Sequence, residues 1–72
     1  MPDLKFEIVQ SIACLSNDER GWIKEINKVS WSGKEPKYDI RAWNKDHSRM
    51  GKGVTLTKDE LIVLRDVLNE LL

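Results

Sequence analysis

Apolar and polar side chains alternate from Phe6 to Leu15, with Phe6, Ile8, Ile12 and Cys14 on one face and Glu7, Val9, Ser11 and Ala13 on the other. A period of two marks a half-buried strand. SNDERG at residues 16–21 gathers turn formers and ends in glycine, so the chain is expected to reverse there. From Trp22 to Trp31 the apolar residues Ile23, Ile26 and Val29 recur every three positions, which also suits a helix. Gly21 and the Ser32-Gly33 turn bracket this segment and strands flank it, so a strand containing a bulge is the better reading. After a turn over residues 32–36, Lys37 to Asn44 alternates again. Tyr38, Ile40 and Ala42 go one way; Lys37, Asp39, Arg41 and Trp43 go the other, and Lys45 continues the second set. DHSRMG reads as a polar loop and Val54–Leu56 as a short fourth strand. Thr57 followed three residues later by Glu60 is a capping box, and it opens a helix from about Lys58 onward. Leu61, Leu64, Leu68, Leu71 and Leu72 share one face of that helix, with Val67 at its margin and Ile62 and Val63 off the stripe. The order is four antiparallel strands followed by one helix, an α+β domain over residues 1–72.

Size adds a constraint. A chain of 72 residues buries a modest fraction of its surface and needs a staple or a partner. One cysteine, Cys14, and one histidine, His47, exclude an internal disulfide and a clustered zinc set, and nothing calls for a cofactor. A second copy of the chain is left as the remedy. The apolar residues beyond one helix stripe point the same way. The amino terminus, MPDLKFEIVQ, carries Asp3 and Glu7 with no uninterrupted apolar stretch, and the longest aliphatic run is Leu61–Leu64. The expectation is a cytoplasmic protein with no signal peptide and no membrane span.

Net charge is zero, yet its distribution is uneven. Residues 22–53 hold eight basic side chains against four acidic ones, while each flanking segment is acidic. In the third strand Lys37, Arg41, Trp43 and Lys45 are expected to project from the face opposite the helix. Cations neutralise phosphates and release counterions, and an indole stacks on an unpaired base. Trp22 and Trp31 would add platforms; Lys24, Lys28 and Lys34 would add phosphate contacts. The same residues also fit a solvated strand face with tryptophans in a core, and opposite parity sends Trp22 and Trp31 to different faces unless a bulge intervenes.

Other candidate chemistry is weaker. Asp18 and Glu19 are adjacent turn acids of the kind that are ordinarily solvated. Cys14 has no base near it in sequence, so a buried strand thiol is the better reading than a nucleophile. His47 lies in a polar loop and could bind phosphate or have no role, and no role is the better reading. Gly51-Lys52-Gly53 lacks the spacing of a phosphate-binding loop. No nucleophile and base set is present, so the expectation is a binding protein and not an enzyme.

YDIRAW followed, after a polar loop, by GKGVTLTKDELIVLRDVL resembles the single-strand-binding domain of the positive cofactor four family of transcriptional coactivators, and most of all its short bacterial members. The matching positions are Asp39, Ile40, Arg41 and Trp43, then Lys52, Gly53, Val54, Thr55 and Leu56. The resemblance implies a homodimer of curved four-stranded sheets joined through the helices and last strands, with Val54, Leu56, Leu61, Leu64 and Leu68 at the interface. It implies binding of single-stranded DNA without strong sequence preference, with Arg41 and Lys52 as contacts, Trp43 at an aromatic position, and Trp31 and Lys34 near the second turn. Single-stranded RNA and acidic partners in the transcription machinery are the alternatives.

Overall fold

A computed structural model describes residues 5–72. Residues 1–4, and with them the Asp3 used in reading the amino terminus, lie outside the described residues. Strands β1 (Phe6–Asn17), β2 (Ile23–Trp31), β3 (Lys37–Trp43) and β4 (Met50–Leu56) precede helix α1 (Lys58–Leu71). The strands form one antiparallel sheet in the order β1-β2-β3-β4, so the predicted ββββα arrangement is the observed one.

The turns form for local reasons. Asp18 Oδ1 accepts from the backbone N–H groups of Arg20 (2.8 Å) and Trp22 (2.9 Å), and Gly21 takes a positive φ of 88°. Trp31 to Lys34 closes with a 2.9 Å bond from Lys34 N–H to the Trp31 carbonyl, with Ser32 at φ 50° and Gly33 at φ 74°. Two left-handed central residues match the right-handed twist of the strands they join. At α1, Glu60 N–H donates to Thr57 Oγ1 and Thr57 N–H donates to Glu60 Oε1, the reciprocal box read from the sequence.

Two strands differ from their predicted form. The bulge expected in β2 is absent from its pairing with β3, which runs in unbroken register from Ile23↔Trp43 to Val29↔Lys37. Irregularity sits in β1, where the register slips between Ile8 and Gln10, between Ser11 and Ala13, and between Cys14 and Ser16. Each slip inserts one residue and breaks simple alternation. Phe6, Ile8, Ser11 and Cys14 therefore stand opposite Trp31, Val29, Asn27 and Glu25, and Ile12 leaves the set to which alternation assigned it. Strand β4 begins at Met50, earlier than expected, and so takes up residues assigned to the polar loop. Glycine makes this possible. A Cβ on Gly53 would fall inside contact distance of Arg41 Cβ, Arg41 Cα and the carbonyl oxygen of Ile40.

The sheet curls toward the face that carries no helix. Trp31 and Trp43 lie beside opposite ends of β2, a span of roughly 26 Å in a flat strand. Phe6, paired with Trp31, nonetheless has its ring 5.1 Å from the ring of Trp43. The concave side thereby wraps its own side chains, and the fully buried residues among those described, Asn27, Val29, Asp39 and Trp43, all belong to it. Helix α1 lies across the other face and contains no buried residue. An apolar groove of about 370 Å³ runs there between Leu15, Ile26 and Ile40 of the sheet and Leu61, Leu64 and Leu68 of the helix. Leu64 and Leu68 keep 36% and 40% exposure, so one helix leaves this convex face half covered. No helix among the described residues is long and apolar enough to cross a membrane.

Candidate nucleic-acid interface

Arg41 is held from three sides. Its Nε and Nη2 donate to Asp39 Oδ1 (2.7 Å) and Oδ2 (2.9 Å), a two-bond fork to a carboxylate that is wholly buried. Thr55 Oγ1 also donates to Asp39 Oδ2, at 3.0 Å, so β4 braces the pair. The guanidinium carbon lies 4.8 Å from the centre of the Trp31 ring. A planar cation on an indole is favourable, and the fork fixes its orientation. Asp39 and Arg41 share a face because they are two residues apart in β3. Gly53, opposite Arg41, has no Cβ to meet the Arg41 Cβ and Cα that approach it closely.

Beside this stack is an aromatic cluster. The Phe6 ring is 6.0 Å from Trp31 and 5.1 Å from Trp43, and the imidazole of His47 is 5.4 Å from Trp43 on another side. His47 is brought there by the loop after β3, where its N–H donates to the Asn44 carbonyl at 3.1 Å and its φ is 61°. Its Nε2 lies 3.0 and 3.2 Å from the two carboxylate oxygens of Glu25 on β2. Asn27 Nδ2 donates to Glu25 Oε1 at 2.9 Å. Burial works to raise the Glu25 carboxyl, but the bonds from Asn27 and His47 outweigh it and hold the group below its ordinary value of 4.5.

The sequence-derived residues are thus divided among several places. Lys37, Arg41 and Trp43 share the concave side, as alternation required, and Trp31, whose face the sequence left open, joins them by its parity with Val29. Trp43 corrects the expectation of an open platform: it is 0% exposed, shut in by Phe6 and His47, although it lies away from the helix. Its reason is the curl of the sheet, which alternation does not encode. Lys24 and Lys28 pair with Ala42 and Tyr38 and so occupy the helix-bearing face, which corrects their grouping with Arg41. Lys28 Nζ lies 5.6 Å from the Tyr38 ring centre. Lys52 alternates with Gly51 and Gly53 and by parity shares the side of Val54. Lys45 lies past the end of β3 in an exposed loop position, so it does not continue that strand's face. Lys34 is exposed in the turn beside Trp31, and Trp22 is half-buried in the turn before β2. Of the residues expected at an interface between subunits, Val54, Leu64 and Leu68 are exposed and Leu56 and Leu61 half-buried.

Sequence reasoning passed over Phe6, Glu25 and His47, which no short motif links. Cys14 corrects another expectation. It is exposed, because it lies on the edge strand β1 between two of the bulges, and it lines a small pocket of about 170 Å³ with Glu25, Asn27 and His47. Among the described residues no group of three or more histidine, cysteine and acidic side chains is placed to hold a metal.

An open antiparallel sheet with one helix on its outer side and an aromatic, arginine-bearing inner side defines the structural class. The family of Transcriptional Coactivator p15 (PC4) matches residues 19–67, which cover β2 to β4 and most of α1. An uncharacterized protein of Treponema pallidum (strain Nichols) is 48% identical over 69 residues, covering 96% of this chain and 81% of its own. The chain belongs to the p15 coactivator family, a family of nucleic-acid-binding proteins.

Proposed function

We propose that the chain is a homodimeric module that binds single-stranded DNA without strong sequence preference and acts in transcription or DNA maintenance. The observation that carries this reading is the coincidence of Trp31, Arg41 and Trp43 on the sheet face left free by the helix. Unpaired bases offer π-faces to such a surface, whereas a duplex hides them. Lys34 and Lys37 are exposed beside Trp31 and along the concave strand, and are the phosphate partners of a strand on this face; Lys45, in the loop after β3, and Lys52, on the helix side of edge strand β4 by parity, meet a strand only where it leaves this face. Lys24 and Lys28 meet a strand only if it passes around the sheet. Arg41, tied to Asp39, acts through its stacked plane more than as a free charge.

The dimer rests on the convex groove. Its leucines are incompletely covered, and the exposed Val54, Val67 and Leu71 add apolar area on this side of the molecule. A second copy presenting the same surface would bury both in an isologous contact.

A salt titration with an unstructured oligonucleotide tests the reading. The expected result is quenched tryptophan fluorescence and a log-log slope of about minus 0.7 per neutralised phosphate. Equal affinity for RNA would widen the ligand class to unpaired strands in general. Absence of binding at low salt would favour an adaptor that docks acidic proteins through the same basic rim.

A further inference from the structure

Phe6 holds a position that the proposed ligand needs. On the reading that unpaired bases stack on the concave face, we infer that the Phe6 ring stands in for a base between Trp31 and Trp43, and that a strand binds by displacing it. Trp43 is 0% exposed, so no base reaches either of its faces while its neighbours stay in place. Its aromatic neighbours are Phe6 at 5.1 Å and His47 at 5.4 Å. His47 is fastened to Glu25 by contacts of 3.0 and 3.2 Å. Trp43 is held in β3, which is paired on both sides. Phe6 is the first residue of an edge strand, paired with β2 alone, and strand ends on an edge open at the lowest cost in a sheet.

Geometry and hydrogen bonding both favour the exchange. The Phe6 ring is tilted by 48° to Trp31 and 46° to Trp43, so it stacks flat on neither indole. A base lying parallel to an indole can replace the contacts that the tilted phenyl makes. The closed cluster also leaves the Nε1–H donors of Trp31 and Trp43 buried without an acceptor among the described residues. Buried donors without partners destabilise the arrangement that encloses them, and opening the cluster returns both to water or to oxygen atoms of a base. An ordinary apolar core carries no such incentive to open. Phe6 is therefore a built-in competitor: it shields the two indoles in the free protein and sets the threshold for entry of a strand.

The test compares the full chain with Phe6→Ala and Phe6→Leu, using binding of a labelled, unstructured oligothymidylate followed by anisotropy. Removing a competitor with a net worth of about one aromatic pair should tighten binding about two- to tenfold in Phe6→Ala, with Phe6→Leu between it and the parent. Binding by either variant that is unchanged or weaker than the parent would overturn the inference, since it would make Phe6 a bystander or a platform. Should Phe6→Ala fail to fold, Phe6→Leu and the unaltered chain decide. In the unaltered chain the nuclear Overhauser contact between the Phe6 and Trp43 rings is expected to vanish at saturating oligothymidylate; its persistence in the complex overturns the inference while leaving strand binding itself intact. Failure of the unaltered chain to bind oligothymidylate at all would remove the nucleic-acid reading, a result separate from any effect of Phe6.

Discussion

At the scale of single residues, position along the strand and burial make separate demands on Trp43. Its parity places it with Arg41 on the open face, while the curled sheet covers it completely. Truncating a buried indole leaves a cavity, so Trp43→Ala should cost about 3 to 5 kcal/mol in a denaturant melt. For a chain this small that is most of the available stability. Loss of oligonucleotide binding in this variant would combine unfolding with the loss of a stacking face, so the melt is the readout here, and a melt matching the parent would show that the indole is not packed as described. Glu25 makes a second demand. Its folded pKa lies below its ordinary value of 4.5, so its contribution is fully present above that value and fades as pH falls through the lower folded value. Acid titration of stability should therefore show a component below about pH 4.5 that Glu25→Gln removes. The same acid sensitivity in the variant would assign that component to other carboxylates.

Elements were legible in the sequence where local chemistry decides them. Gly21 and Ser32-Gly33 supply turns at the positive φ values they adopt, and Thr57 with Glu60 starts α1 where the capping pattern put it. The three slips in β1 were not legible, because an inserted residue changes the register of a strand without changing its composition. Val9, Ile12 and Leu15, each at a slip, keep 46%, 41% and 54% exposure, so the core exerts no strong pull on them that a pattern would reveal. The length of β4 was hidden for a different reason. Glycine reads as loop, yet Gly53 is in the strand because β3 approaches it too closely at Arg41 and Ile40 for a Cβ. Gly53→Ala forces a Cβ against backbone as well as side chain, and should destabilise by about 1 to 3 kcal/mol while loosening the fork between Arg41 and Asp39. A melt within experimental error of the parent would mean that β4 shifts freely.

At the scale of the whole molecule, two faces divide the work. The concave side gathers the buried residues and the arginine-indole stack; the convex side leaves a leucine groove beside α1 half open. Fold class and family were both within reach of the sequence, because hairpin turns and the Asp39-Ile40-Arg41 and Lys52-Gly53 motifs are local features. The closing of the aromatic cluster was out of reach, since it depends on Phe6 and His47 arriving from distant parts of the chain. If the groove takes a second copy, Leu68→Asp places a charge in an apolar contact and should yield a monomer in sedimentation velocity at concentrations where the parent is dimeric. A variant that sediments with the parent would move the interface elsewhere.

The central claim is that unpaired nucleic acid lies on the concave face, and backbone and indole chemical-shift mapping during titration with single-stranded DNA tests it most directly. The account predicts the largest shifts at Phe6, Trp31, Lys37, Arg41 and Trp43, with Leu61, Leu64 and Leu68 little changed. Shifts concentrated along the leucine groove, with Trp31 and Arg41 silent, would contradict it.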